Sequence, residues 1–259
     1  MSNQALYYEV HGSHGPFILL VHGILSSRAQ WKLNLEALKA FSRPVIIELF
    51  GHGRSPAPDD PECYSPDSYV RQFERLRCQL EAERWFVCGQ SLGASLTLRY
   101  ALSHPERVTA QIFTNSRSAL SDNIPAEAMK PVAERLIKEG RKVIDNFPLH
   151  PARSRRLKPE IKQALVEDVK LIDVHGLAYT MLYTVTACSV RRVIHQNRVP
   201  TLLVVGRFDK QFASLLEFVQ QTMPKLEALV FDGGHAVNID APERFNEAVQ
   251  GFISRFIDI

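Results

Sequence analysis

Seven short runs rich in β-branched and aromatic residues punctuate this chain, at 5–10, 17–23, 44–51, 85–91, 108–116, 201–209 and 227–235. Each stops at a glycine or a polar cluster, and several, such as FILLVHG (17–23) and TLLVVGRFD (201–209), are apolar without alternation. A strand with one wet face alternates apolar and polar residues. A continuously apolar strand needs cover on both faces, which parallel strands flanked by helices receive. Between the runs lie segments with apolar residues three and four apart: QWKLNLEALKAF after the second run, SPDSYVRQFERLRCQLEAE before the fourth and LGASLTLRYALSH after it. Ser65 or Pro66 is expected to start the middle helix, with Asp67 in its first turn. The alternation predicts an α/β fold with a mainly parallel sheet.

The alternation stops between about 117 and 199. There IPAEAMKPVAERLIKEG ends at Gly140, KPEIKQALVEDVKLID sets Ile161, Leu165, Val169 and Ile172 on one face, and GLAYTMLYTVTACSV reads as a third helix. Pro131 must sit in a first turn or cause a kink. We read 1–116 and 200–259 as one core and 117–199 as a helical cap over the sheet edge where ligands of such folds bind. The alternative is a purely structural helical layer. A chain of 259 residues, 45% hydrophobic and 23% charged, can bury such a core in one domain with an insertion.

The formal net charge of +3 is small and evenly spread, so nucleic acid is not an expected partner. The nearest thing to a basic run, HPARSRRLKP (150–159), reads as a loop facing water. Cys63, Cys78, Cys88 and Cys188 show no CxxC spacing, and the first dozen residues lack a secretory leader. Reduced thiols and a cytoplasmic location are therefore expected. No run of about 18 apolar residues suggests a membrane span. The histidines show no HExxH spacing and no Gly-rich phosphate loop of the right length occurs, so neither a metal nor a cofactor is expected.

WFVCGQSLGASL (85–96) sets Ser91 between Gly89 and Gly93, after a strand and before a helix. In that context Gly-x-Ser-x-Gly is a nucleophile elbow, the small residues letting the backbone fold sharply so that the hydroxyl projects. The other reading is a small polar residue in a glycine-bounded loop. A serine hydroxyl needs a base to take its proton, and the base needs an orienting acid. His235 lies in a glycine-loosened loop after the last strand, and Asp209 lies just past an apolar strand. Each also has a structural reading, His235 as a turn residue and Asp209 as the cap of a helix beginning near Phe212. Asp232 and Asp240 compete as the acid, but neither ends an apolar strand. The chain order Ser, Asp, His suits the elbow. Backbone N–H donors for a developing oxyanion are expected from Leu92, after the serine, and from Ile24, after the strand that ends at His22-Gly23. His22 reads as a buried orienting residue and His52 as a turn residue. Gln90, Leu25, Phe208 and Val237, next to these positions, are the expected substrate contacts.

VHGILSS, FGHGRSPAPDD, GQSLGASLTLRYALSHPERV, VVGRFD and GGHAVNIDAPERF together resemble, in order and over nearly the whole chain, the cap-bearing α/β-hydrolases. GHGRSPAPDD, ALSHPERV, GRFDKQF and, in the cap, LIKEGRKVIDNFPL and LKPEIKQAL are similar to the menaquinone-pathway synthase that eliminates pyruvate. That subgroup has Tyr within the elbow and Arg four residues after the serine, where this chain has Gln90 and Ser95, and it has a cap Trp near Asn146 that this chain lacks. Relatives that act as dehalogenases or epoxide hydrolases carry Asp in place of Ser91. The resemblance thus implies a cofactor-free serine hydrolase acting on a carboxylic ester or similar small acyl compound. Three rivals stand beside it: the pyruvate-eliminating lyase, a C–C bond hydrolase on the same triad, and a binding module without turnover. With Gln90 and Ser95 in place, the pocket is expected to prefer neutral acyl groups to polyanionic ones.

Overall fold

The computed structural model describes residues 4–154 and 156–257, and in it each of the seven apolar runs contributes a strand to a single sheet. The strands are β1 (Tyr8–Val10), β2 (Phe17–Val21), β3 (Arg43–Ile47), β4 (Trp85–Gly89), β5 (Val108–Thr114), β6 (Thr201–Gly206) and β7 (Leu226–Phe231). They lie in the order β1-β3-β2-β4-β5-β6-β7. Only β1 is antiparallel, to β3; every other pairing is parallel.

The lack of alternation in β2 has a direct structural cause. Leu19 and Val21 face a cluster with Tyr69, Phe73, Leu96 and Tyr100, while Ile18 and Leu20 face another with Phe86, Phe245, Val249 and Phe252. Helices α2 (Pro66–Gln79) and α3 (Leu92–Ser103) cover the first face. The second is covered by α11 (Pro242–Ile253), the last of the α-helices, with α1 (Leu35–Lys39) beside it. The α2 start is as expected: the Ser65 side chain accepts from the Ser68 N–H, Pro66 opens the helix and Asp67 lies in its first turn.

The helix expected over QWKLNLEALKAF is broken into a 3-10 turn, Arg28–Trp31, and the short α1. Gln30 and Asn34 are turned inward, their side-chain amides donating to Asn238 Oδ1 and the Asn238 carbonyl at 2.9 Å each. These tertiary bonds override the local helical pattern.

Between β5 and β6 the described residues form helices and turns only. In order these are α4 (Arg117–Leu120), α5 (Ala126–Glu139), α6 (Arg141–Asp145), a 3-10 turn at Pro151–Arg153, α7 (Pro159–Val169) and α8 (Val174–Tyr179). Pro131 lies inside α5, past its first turn. Ile161, Leu165, Val169 and Ile172 are all buried, as their spacing predicts. The third expected helix changes its hydrogen-bond spacing part-way: α8 passes into a π-helical stretch, Thr180–Val185. Thr180 and Thr186 hydroxyls donate to carbonyls four residues back, and Thr184 donates to the Tyr64 carbonyl, which widens the turn.

Strand order decides where a site can form. The chain runs from β2 out to β3 and then returns past β2 to β4, so the C-terminal ends of β2 and β4 diverge into loops on opposite sides, the crevice where ligands of such sheets bind. Val21 pairs with Gly89, which sets the loop after β2 against the turn after β4. Thr114 pairs with Val204 and Gly206 with Phe231, which brings the ends of β5, β6 and β7 to the same edge. Beyond them follow α9 (Ala213–Thr222) after β6 and α10 (Val237–Asp240) after β7.

Candidate active site

Ser91 sits between the end of β4 and the first residue of α3 with φ 54° and ψ −115°, a region an L-residue seldom occupies. Such a backbone costs on the order of 1–3 kcal/mol and persists only where the surroundings enforce it. The glycines explain how they do. A β-carbon at Gly93 would strike the carbonyl oxygens of Val21 and His22, and one at Gly89 would strike Gly93 O and Thr97 Oγ1, so strand and helix approach too closely for any side chain there. From below, the buried Ser116 hydroxyl donates to the Ser91 carbonyl at 2.6 Å. The Ser91 hydroxyl is left projecting into a cavity.

That hydroxyl meets His235. Nε2 of His235 lies 2.9 Å from Ser91 Oγ, and Nδ1 lies 2.8 Å from Asp209 Oδ2. The imidazole side chain is 43% exposed and the carboxylate 11%, so the acid is sheltered and the base faces the cavity. Partial burial pushes the Asp209 carboxyl up, but the His235 hydrogen bond and charge, with the Asn115 amide, outweigh it and hold the group below the ordinary carboxylate range. Of the competing acids, Asp232 pairs with Arg207 at 2.8 Å, and Asp240 accepts the Gly234 N–H at 2.6 Å. Neither bonds to His235.

Asn115 was not visible as a site residue in the sequence. It is completely buried at the end of β5, where Nδ2 donates to Asp209 Oδ2 at 3.1 Å and Oδ1 accepts the Gly206 N–H at 2.9 Å. Its only sequence signal was a polar residue closing an apolar strand. Ser95, where the menaquinone subgroup has Arg, is also completely buried and bonds to Ser118 at 2.8 Å beneath the elbow.

The loop after β2 supplies the opposite wall. A β-carbon at Gly23 would strike Gln90 Oε1 and Ser91 Cβ, so glycine lets this loop lie against the elbow. His22, completely buried, donates from Nδ1 to Gly23 O at 2.7 Å and accepts the Leu49 N–H at Nε2, which fixes one neutral tautomer across the loop. Burial, with His52 nearby, pushes its pKa down to about 3. Leu25 also has a positive φ, 54°. The Leu92 N–H is the first of α3 and so has no partner within the helix. Among the described residues no acceptor is found for the Ile24 N–H either.

One cavity of about 410 Å³ joins these parts. Ser91, Asp209, His235, Ile24, Leu25, Gln90 and Phe208 line it, so most of the residues expected from the sequence come together. Leu92 lies behind, its side chain buried in the core. Val237 is a correction: it is completely buried with Phe231 and Phe245 and contributes nothing to the cavity wall, because α10 turns it toward the sheet. The far wall comes from 148–151, Ser154, Leu157 and Leu165, and the stretch read as facing water places Arg153 and Arg156 on it. No group of three or more His, Cys, Asp or Glu side chains placed to hold a metal ion is found among the described residues, and no described helix is long and apolar enough to cross a membrane.

Residues 16–242 match the family model described as alpha/beta hydrolase fold. The chain belongs to that family. A candidate 2-succinyl-6-hydroxy-2,4-cyclohexadiene-1-carboxylate synthase of Bacillus subtilis is 24% identical over 92% of this chain and 90% of its own. A candidate carbamate hydrolase, RutD, of Azorhizobium caulinodans is 28% identical over 95% and 94%. Among solved structures, a thermophilic esterase from Thermogutta terrifontis superposes with a TM-score of 0.84 at 24% identity, over 98% of this chain and 94% of that one. Family members with this fold therefore carry more than one chemistry, and the choice among them rests on the site.

Proposed function

We propose that this chain is a serine hydrolase that cleaves small carboxylic esters through Ser91, His235 and Asp209, with 117–199 acting as the cap that shapes its pocket. The observation that carries this reading is the unbroken line of contacts, 2.8 Å from Asp209 to His235 and 2.9 Å from His235 to Ser91, ending in a cavity. Ser91 Oγ attacks the carbonyl carbon while His235 Nε2 takes its proton. Asp209 accepts the Nδ1–H and stabilises the imidazolium. The carbonyl oxygen becomes an oxyanion that the Ile24 and Leu92 N–H groups receive. Collapse expels the alkoxide, which takes the proton from His235 and leaves as alcohol. Water then attacks the acyl-serine by the same route, releasing the acid and restoring Ser91. The composition and the reduced-thiol expectation fit a small-molecule substrate in the cytoplasm.

A fluorophosphonate probe tests the reading, because it reacts only with an activated nucleophile. It is expected to label Ser91 alone on the folded protein, and p-nitrophenyl esters of varied chain length are expected to be turned over. A label on another residue, or none, rejects the proposal. The likeness to the Bacillus subtilis protein over most of both chains supports a second reading, in which Ser91, relieved of its proton by His235, abstracts a substrate proton and drives pyruvate elimination. Pyruvate release from the menaquinone precursor, with no ester hydrolysis above background, would select that reading.

Asn115 gives a finer check. Asn115→Asp keeps an acceptor for the Gly206 N–H but sets a second carboxylate about 3 Å from Asp209 Oδ2. Two carboxylates so close cannot both ionise freely, so one proton stays bound to higher pH. The acid limb of the kcat/KM profile is expected to move up, with a loss of about tenfold at neutral pH. An unmoved acid limb would show that Asn115 has no hold on Asp209.

A further inference from the structure

We propose that Arg153 and Arg156 form an anion subsite in the cavity, and that the ester cleaved at Ser91 carries a carboxylate; this rests on the hydrolase reading above. The basic stretch is anchored at its start, where His150 and Pro151 are buried. The His150 Nδ1 accepts the Ala152 N–H at 3.2 Å and starts the turn Pro151–Arg153, with Pro151 buried beneath it. This fixes the backbone from which Arg153 projects, and Arg153 Nη2 donates to Asn146 Oδ1 at 3.3 Å, a neutral partner. The Arg156 guanidinium carbon stands 4.4 Å from the centre of the Phe208 ring. Its stem passes so near Gly234 that a β-carbon there would lie 3.2 Å from Arg156 Cδ. Arg156 therefore bridges the loop that carries Asp209 and the loop that carries His235.

Charge makes the case. Among the described residues neither guanidinium has a carboxylate within ion-pair distance. The two carboxylates on the wall are already engaged, Asp209 by His235 and Asn115, and Asp240 by the Gly234 N–H. Burial lowers the pKa of His150, the other histidine lining the cavity beside His235. Two unpaired, planar donor groups thus border a cavity that holds the nucleophile. A guanidinium binds a carboxylate through two parallel N–H bonds, and the stack on Phe208 holds Arg156 ready for one. Water shares the cavity mouth, since both arginines are exposed, so the attraction is salt-sensitive.

Matched esters read the subsite. Mono-p-nitrophenyl adipate and p-nitrophenyl hexanoate have acyl chains of equal length and differ by one carboxylate; 4-(hexanoyloxy)butanoate and butyl hexanoate do the same on the alcohol side. For at least one pair the anionic ester is expected to have about tenfold higher kcat/KM at low salt, a preference that shrinks at high salt. Arg153→Gln and Arg156→Gln are each expected to lower that anionic-to-neutral ratio several-fold, with Arg→Lys falling between. Separately, Ser91→Ala protein titrated with adipate by calorimetry is expected to bind it, more weakly once either arginine is replaced. If both pairs are turned over without anionic preference, or if the Gln variants leave the ratio unchanged, the subsite is refuted while the hydrolase stands. If no ester is turned over and the fluorophosphonate leaves Ser91 unlabelled, the hydrolase reading fails, and the calorimetry then decides the subsite alone, lack of adipate binding refuting it.

Discussion

Replacing Ser91 with alanine is expected to lower kcat for a p-nitrophenyl ester by about five to six orders of magnitude, because the triad works as a unit and the remaining members have nothing to activate. The residual rate should exceed the uncatalysed one, since the N–H groups of Ile24 and Leu92 and the pocket still bind the transition state. The fold should hold. Among the described residues the Ser91 hydroxyl bonds only to His235, while the Ser116 hydrogen bond goes to the Ser91 carbonyl, which alanine retains. Alanine at φ 54° carries the same left-handed strain as serine, so the midpoint of thermal unfolding should change little. A rate within about a hundredfold of the parent, measured on protein with an unchanged melting curve, would remove Ser91 from the chemistry.

How much could be read from residues alone follows from where the information resides. The five inner strands were legible because burial on both faces writes itself into apolar runs, β2 between two helical layers being the clearest case, while the half-exposed edge strands β1 and β7 were legible from their β-branched and aromatic residues. Helix α2 was legible because its start is local: Ser65, Pro66 and Asp67 adjoin one another. The break between Arg28–Trp31 and α1 was not, because it depends on Asn238, some 200 residues away in sequence. The π-helical stretch was hidden for the same reason, Thr184 finding its acceptor on Tyr64.

The site divides along the same line. Ser91, Asp209 and His235 each lie in the loop just past a strand, so the sequence could name them, and the strand order then brings those loops together. Asn115 also ends a strand, but nothing local distinguishes a side chain aimed at Asp209 from one that merely closes β5. Val237 lies next to the right loop yet points the wrong way, because the one-turn helix α10 rotates it into the core. The basic stretch misled through its composition. Adjacent charges in a loop between prolines usually face water, and here the buried Pro151 and the Phe208 ring turn two of them onto the cavity wall. The expectation of a neutral pocket rested on Gln90 and Ser95 alone and could not weigh cations that arrive from another segment.

Asp209→Asn is expected to leave the fold intact and cut kcat by about three to four orders of magnitude, the loss seen when an acid can no longer hold its histidine in the working tautomer. The geometry makes the effect hard to escape. A single oxygen, Oδ2, accepts both His235 Nδ1 and Asn115 Nδ2. If the asparagine sets its oxygen there, both bonds survive but the negative charge that steadies the imidazolium is gone. If it sets its nitrogen there, it faces the Asn115 donor and forces His235 to carry its proton on Nε2, where Ser91 must deliver one. Asp232→Asn and Asp240→Asn serve as the contrast. Asp232 sits in an exposed pair with Arg207, which contributes little, and Asp240 accepts a backbone N–H. Each is expected to keep activity within about tenfold, the Asp240 change acting through the loop that carries His235. Pre-steady-state release of p-nitrophenol separates the steps: in Asp209→Asn the burst should slow with acylation, while KM moves far less than kcat. Near-normal turnover in Asp209→Asn, with the large loss in Asp232→Asn or Asp240→Asn, would transfer the role to that other acid.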